Sequence, residues 1–262
     1  MAAVPVVNNL LAQRPFFMIK IHRQNLSTFI KIQICLILRQ NQERAILKMR
    51  TDSHGAACIT VKRFRDFKDA LRKDVKNRAR LCREEIEFVL AREDDCGVLL
   101  KQLEEGILPL RVTHNDTKLN NILFDKNTGE GLCIIDLDTI MPGLAASDFG
   151  DSIRFGASTA EEDEKDLNKV HFDIELYRIY VKGYLEMAKD VLTPAENASL
   201  PWGARLMTLE CGMRFLADFL QGDVYFKTTY PEHNLVRART QFRLVKEMEE
   251  QFDQMQEIVE TF

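Results

Sequence analysis

The sequence is most informative at residues 110–154, which read LRVTHNDTKLNNILFDKNTGEGLCIIDLDTIMPGLAASDFGDSIR. Short runs of apolar and β-branched residues predict three strands in this segment, at 110–113, 121–124 and 132–135. Turn-forming residues fill 125–131 and predict a hairpin between the second and third strands. The third run is apolar throughout, which predicts a strand buried on both faces.

Polar side chains stand where these strands end. His114, Asn115 and Asp116 open a polar loop (residues 114–120) after the first strand, and Asp136 and Asp138 follow the third. Such positions are typical of functional sites, because the strand fixes the backbone while the loop presents the side chains.

Outside this segment the pattern is mostly helical. Apolar residues recur at three- and four-residue steps along 62–79, with a stripe formed by Phe64, Phe67, Leu71, Val75 and Ala79. Further helices are predicted at 84–92, 98–105, 170–187, 206–220 and 236–258. The run DFGDSIRFG at 148–156 and the residues between Pro194 and Pro201 predict loops. The result is an α+β protein with a mostly helical body around a small β element.

Length and composition exclude several classes of protein. The chain has 262 residues, 45% hydrophobic and 29% charged, enough for one globular unit or two small ones. A net charge of −4 argues against a nucleic-acid binder. The apolar run at 29–38 is too short to span a bilayer, and no secretory signal is recognisable, so we expect a cytoplasmic protein without a membrane partner. The six cysteines form no CxxC pair, which predicts reduced thiols and no zinc site.

Residues 1–54 are hard to classify. They contain two strand-like runs, FFMIKIH and FIKIQICLIL, but no glycine, so they hold no glycine-rich phosphate loop. Lys20 and Lys31 lie in these runs, and neither is distinguished from an ordinary strand lysine. We expect a domain boundary near residue 55, with a short or divergent segment at 1–54 and the main domain at 55–262.

The spacing His114-x-Asp116-x-x-x-x-Asn121, with Asp136 beyond the next strand, suits phosphoryl transfer. Asp116 could accept the proton of an attacking hydroxyl, while Asn121 and Asp136 offer oxygen atoms to Mg²⁺, which also takes ligands from phosphate. This is the spacing of a kinase-type catalytic loop, in which His114 would be structural. A turn or cap role would explain either aspartate alone, but explains the combination less well.

Three segments carry a resemblance to a known family, namely THNDTKLNNILFD, LCIIDLDTIMPG and DFGDSIRFGAS. They resemble the aminoglycoside phosphotransferase/choline kinase superfamily, and within it the N-acetylhexosamine 1-kinase-like branch most closely. Segments such as EIEFVLARE and WGARLMTLECGMRFLADFLQGDVYFK extend the likeness across residues 61–250. The resemblance implies a protein-kinase-like fold with a helical C-terminal lobe, a small β hairpin and an incomplete N-terminal lobe.

The resemblance also implies roles for individual residues. Asp116 would be the catalytic base, and Asn121 and Asp136 would bind magnesium, with Asp138 as an additional ligand. The catalytic loop would be supported by His114, Asp148 and Asp151. The sugar would be held by Arg214 and Tyr225. Independently, Arg214 is a cation within an apolar helix and needs either a ligand or an ion-pair partner. Both readings stay open.

The implied activity is an ATP- and Mg²⁺-dependent kinase that converts an N-acetylhexosamine (GlcNAc or GalNAc) to its 1-phosphate. The alternatives are a kinase for another alcohol, such as choline, homoserine or an aminoglycoside, and a catalytically silent sugar-binding or scaffold protein. Kinases of this type hold ATP under an N-terminal lobe, for which residues 1–54 are short, so we expect weak ATP affinity. The sequence does not predict an oligomeric state.

Overall fold

The computed structural model describes residues 59–117, 121–125, 131–188 and 190–262. These residues form eight α-helices and four short strands. The helices are α1 Ile59–Lys73, α2 Arg83–Leu90, α3 Val98–Glu104, α4 Ala145–Gly156, α5 Ile174–Ala188, α6 Pro194–Gln221, α7 His233–Glu250 and α8 Phe252–Thr261. The strands are β1 Arg111–Thr113, β2 Ile122–Phe124, β3 Gly131–Ile134 and β4 Met141–Gly143.

This architecture is a kinase-like α+β fold and confirms the predicted fold class. The expectations for residues 1–54, including the two strand-like runs and the lysines at 20 and 31, lie outside the described residues. The boundary at residue 55 also stays a prediction.

The strands form two separate antiparallel pairs. β1 pairs with β4, with Thr113 opposite Met141, and β2 pairs with β3, with Ile122 opposite Ile134. β4 contains Pro142 and Gly143, two poor strand formers, and was not predicted from the sequence. The expectation of a third strand buried on both faces is wrong: Ile134 is buried, but Ile135, which follows β3, is 37% exposed. A two-stranded ribbon covers only one of its faces, and side chains alternate between the two.

α6 is the central helix of the structure, with 28 residues and a length of about 42 Å. Its N-terminus lies where the sequence predicted a loop between two prolines, and that prediction is wrong. Pro194 occupies the first turn, where no N–H is needed, and Thr193 and Glu196 form a reciprocal capping box. Pro201 lies inside the helix and leaves the carbonyl of Asn197 without its usual helical donor.

The predicted loop at 148–156 is also wrong, because these residues belong to α4. The helix is held by its close approach to α6. A Cβ atom at Gly150 would overlap the carbonyl oxygen of Gly203, and one at Gly203 would overlap that of Ala146. Backbone-to-backbone packing of this kind outweighs the weak helix propensities of glycine, serine and aspartate.

The remaining helix predictions are confirmed apart from their ends. α1 stops at Lys73, so Val75 is 61% exposed instead of continuing the apolar stripe. Gly106, with a φ of +73°, lies just beyond α3, where a glycine in the left-handed conformation commonly ends a helix. The single last helix is in fact two, α7 and α8, which meet at Gln251. Within the described ranges, no helix has both the length and the apolar character needed to cross a membrane.

Two apolar clusters meet on α6. One joins α1, α2 and much of α7 to the C-terminal half of α6, through residues such as Phe67, Leu216 and Phe219. The other joins α4, α5 and α8 to its N-terminal half, through residues such as Phe149 and Leu200. α6 therefore fixes the position of α4 and of the loop that follows its own C-terminus.

Candidate active site

The polar loop is anchored on two buried carboxylates of α4. The backbone N–H groups of His114 and Asn115 donate to the two oxygens of Asp148 at 2.7 and 2.8 Å, and that of Thr117 donates to Asp151 at 2.8 Å. Asp148 and Asp151 are one helical turn apart and therefore share a face of α4. Hydrogen bonds to an ionised acceptor are roughly twice as strong as neutral ones. The two aspartates thus hold the backbone of residues 114, 115 and 117.

The pKa of Asp148 is raised above the ordinary value of an aspartate. Burial raises the pKa of its carboxyl group to about 6, although the N–H donors of His114 and Asn115 act in the opposite direction, and the neighbouring Asp151 raises it further. The charged form of Asp148 is therefore costly, and the two backbone donors are what make it tolerable inside the protein.

His114 is buried and makes hydrogen bonds through both its ring and its backbone. Its ring is 1% exposed, and Nε2 lies 3.2 Å from the carbonyl oxygen of Ile135, so Nε2 carries the proton. Its carbonyl accepts a hydrogen bond of 2.6 Å from the hydroxyl of Thr139. His114 consequently ties the polar loop to the segment on either side of Asp136.

Asp116 and Asn121 are in direct contact. The side-chain nitrogen of Asn121 donates to the carboxylate of Asp116 at 2.9 Å and to its backbone oxygen at 2.8 Å. Asp116 is half-buried and Asn121 is buried. Because the amide nitrogen serves both bonds, the amide oxygen is the atom of Asn121 that could bind a cation.

The strand register places Ile135, the residue before Asp136, against Asn121. Ile122 is opposite Ile134, and the N–H of Ile135 donates to the carbonyl of Asn121 at 2.9 Å, so Asp136 directly follows the residue bonded to Asn121. Asp136 has left-handed backbone angles, φ 63° and ψ 53°, which turn the chain sharply at this point. Asp136 and Asp138 are both exposed, the latter on the short turn Leu137–Thr139.

These donors suit magnesium better than a softer metal. Among the residues that the structure describes, no three His, Cys, Asp or Glu side chains gather into a metal site. An amide oxygen, a carboxylate and the oxygens of a polyphosphate are the hard ligands that Mg²⁺ prefers, with few of them from protein. The set therefore fits a magnesium ion that arrives with a nucleotide.

Arg214 and Tyr225 lie together on the other side of α6's C-terminal half. The guanidinium carbon of Arg214 is 6.0 Å from the ring centre of Tyr225 and 5.4 Å from that of Phe226. Both rings and Arg214 line a cleft of about 330 Å³, to which α1 contributes Arg63 and Asp66. In the described part of the chain no carboxylate is within ion-pair distance of Arg214, but its charge acts on the buried Glu210 one turn earlier, and Asp66, Asp69 and Asp218 line the same cleft.

The aromatic loop (residues 223–230) has an anchor that the sequence reading missed. Asp218 of α6 accepts the backbone N–H groups of three successive loop residues, Val224, Tyr225 and Phe226, at 2.8–3.0 Å. It also accepts a hydrogen bond of 2.9 Å from the side-chain nitrogen of Asn234. A lone acid in the apolar run FLADFL was the available signal, because a buried charge needs partners.

Comparison with solved structures supports the kinase-like architecture. A choline kinase from Cryptosporidium parvum Iowa II superposes on 92% of this chain and 69% of its own, with a TM-score of 0.55 and 16% sequence identity. Identity at this level establishes the fold alone. A sequence model of the phosphotransferase enzyme family matches residues 47–188, more than half of the chain, and includes the polar loop, Asp136 and α4. The chain belongs to the phosphotransferase enzyme family.

Proposed function

We propose that the protein is an ATP- and Mg²⁺-dependent kinase that phosphorylates a sugar hydroxyl, with an N-acetylhexosamine as acceptor and its 1-phosphate as product. Family membership supports phosphoryl transfer to a small molecule. The observation that carries the proposal is the contact between Asp116 and Asn121 in a loop fixed from below by α4. It joins a carboxylate that can act as a base to an amide that can bind a cation.

In the proposed reaction Asp116 orients the acceptor hydroxyl and takes up its proton. The hydroxyl oxygen forms a bond to the γ-phosphorus, the bond from that phosphorus to the β,γ-bridging oxygen breaks, and ADP leaves. Asn121 holds the carboxylate of Asp116 by its amide N–H, while Asp148 and Asp151 keep the backbone of the loop in place.

The amide oxygen of Asn121 and the carboxylate of Asp136 would hold the magnesium ion, with Asp138 as a further ligand. Bound there, the ion would neutralise the charge of the β- and γ-phosphate oxygens.

The cleft near Arg214 supports a neutral acceptor over a cationic one. Recognition of a quaternary ammonium uses the open faces of aromatic rings. Here the guanidinium of Arg214 already lies near the rings of Tyr225 and Phe226, so these ring faces are less open to a second cation, although acids such as Asp66 line the cleft as well. A guanidinium beside an exposed tyrosine suits the hydroxyl and amide oxygens of a sugar, to which both residues can donate hydrogen bonds.

The test is a parallel set of incubations with Mg·ATP and GlcNAc, GalNAc, choline, homoserine, an aminoglycoside or no acceptor. Products are read by ³¹P NMR. We expect a sugar 1-phosphate from a hexosamine, no product from Asp116→Asn, and normal product from Asp253→Asn, which removes an exposed charge on α8. Phosphocholine as the main product would overturn the sugar assignment, and the absence of transfer to every acceptor would favour a binding protein without activity.

A further inference from the structure

Arg154 of α4 is a buried cation that joins two carboxylates. Its guanidinium donates to Asp151 at 3.3 and 3.4 Å and to Glu162 at 2.7 Å. The side chain is only 9% exposed, and the ring of Phe155 lies 4.0 Å from its guanidinium carbon. Burial opposes the charged form, but the facing groups, Asp151 and Glu162 among them, outweigh it and raise the pKa of Arg154 above its ordinary value. The cation is therefore permanent.

Asp151 divides its two oxygens between Arg154 and the polar loop. Oδ1 accepts from Arg154, while Oδ2 accepts from the backbone N–H of Thr117 at 2.8 Å and lies 3.4 Å from its hydroxyl. Thr117 is the residue directly after Asp116. The guanidinium therefore sets the rotation of a carboxylate that in turn holds the backbone next to the proposed base.

Glu162 is itself fixed from the far side. Its backbone oxygen accepts a hydrogen bond of 2.6 Å from the hydroxyl of Thr240 on α7. The next residue, Asp163, lies 3.1 Å from Nε2 of His233, whose Nδ1 accepts the N–H of Thr229. Residues 162 and 163 are thus attached to α7.

We infer that Arg154 and Glu162 are positioning residues for phosphoryl transfer, which act on Asp116 through Asp151 and Thr117. The inference rests on the proposed role of Asp116. Transfer depends on placement, and a displacement of about 1 Å at a reacting group can lower the rate by about 100-fold. Asp148 still holds His114 and Asn115 when Glu162 is removed. We therefore expect a smaller loss of about tenfold in kcat.

The experiment compares Glu162→Ala with Glu161→Ala in the full chain. Glu161 is the exposed neighbouring acid, so its removal changes the net charge equally. We expect Glu162→Ala to lower kcat about tenfold, with the KM values for ATP and acceptor within twofold. Its melting temperature should be below that of Glu161→Ala because Arg154 loses one of its two carboxylate partners, so kcat is measured well below both melting temperatures. Arg154→Lys keeps the charge but loses the planar guanidinium that spans both carboxylates. Its kcat should therefore also be lower than that of the wild type. A kcat for Glu162→Ala equal to that of Glu161→Ala would overturn the inference.

Hydrogen exchange of the peptide that covers residues 111–117 is measured without any acceptor. We expect faster exchange in Glu162→Ala than in Glu161→Ala. If exchange rises while the wild-type protein transfers phosphate to no acceptor, the proposed function alone is overturned. If exchange does not rise, the link from Glu162 to the polar loop is overturned, whatever the activity.

Discussion

The polar loop and the aromatic loop are both held by hydrogen bonds from their backbone to buried aspartates, but they differ in the exposure of their side chains. In each, a buried aspartate on a helix accepts backbone N–H groups of the loop. Asp148 and Asp151 on α4 hold the polar loop, and Asp218 on α6 holds the aromatic loop. The polar loop also follows a strand, and its Asp116 is half-buried and bonded to Asn121. In the aromatic loop Tyr225 is 73% exposed.

This difference in exposure corresponds to two requirements of a transferase, placement of the reacting group and recognition of the acceptor. A group that takes part in the chemistry must be fixed on all sides, because misplacement lowers the rate steeply. A group that recognises the acceptor needs only a fixed backbone and an accessible side chain. We therefore expect changes at the polar loop to act on kcat and changes at the aromatic loop to act on the acceptor's KM.

The largest effect should come from the proposed base. Asp116→Asn keeps the shape of the side chain but removes its ability to take a proton, and general-base catalysis is worth about 10²–10⁴ in rate. We expect kcat to fall about 10³-fold with the circular dichroism spectrum unchanged, as measured by steady-state kinetics. A loss of less than tenfold would show that Asp116 is a structural residue.

The next largest effect concerns the packing of α4 against α6, which positions the carboxylates of Asp148 and Asp151. Gly150→Ala would drive a methyl group into the backbone of Gly203, which we expect to lower the free energy of unfolding by about 3 kcal/mol. Gly97→Ala is the control, because a Cβ there would meet no atom within 4 Å. Urea denaturation of both variants checks this. Equal midpoints would mean that α4 can move away from α6.

A smaller effect is expected on the acceptor side. Arg214→Gln removes the charge beside Tyr225 and should raise the acceptor's KM about tenfold, the loss expected for one hydrogen bond to a charged group. The KM for ATP and kcat should change less than threefold. Arg178→Gln on α5 removes a cation outside this cleft and should have no effect on either constant. A fall in kcat at constant acceptor KM would place Arg214 in the chemical step instead.

A separate effect, on stability alone, is the pH dependence that Asp148 contributes. Its folded pKa of about 6 is above the ordinary value of about 4, so the folded state binds the proton more tightly. Stability from this group is therefore greatest below pH 4, falls by roughly 1 kcal/mol per pH unit between about 4 and 6, and is constant above that range. Urea unfolding of the wild type and Asp148→Asn measures this. Between about pH 4 and 6, the free energy of unfolding of the wild type should fall relative to that of the variant. A difference that is flat with pH would contradict the raised pKa.

The sequence predicted the fold class, the polar loop and most helices because their signals are local. The spacing of Asp116, Asn121 and Asp136 follows from the chemistry they would serve, and helical periodicity is visible in any amphipathic segment. α4 could not be predicted in this way. Its helical state depends on contact with Gly203, which is far along the chain, and its own residues favour turns.

Two other errors had a readable signal. Thr193 and Glu196 are three residues apart around Pro194, which is the pattern of a helix start rather than a loop. Asp218 in an apolar helical run required partners, although their identity as the N–H groups of the aromatic loop depends on the tertiary fold.

The most direct test of the division between the two loops measures kcat and acceptor KM for Asp148→Asn and Asp218→Asn under the same conditions. An asparagine cannot accept all the backbone donors that either carboxylate receives, so each variant loosens one loop. We expect Asp148→Asn to lower kcat with little change in the acceptor's KM, and Asp218→Asn to raise the acceptor's KM with little change in kcat. The same pattern of change in both variants would contradict the account.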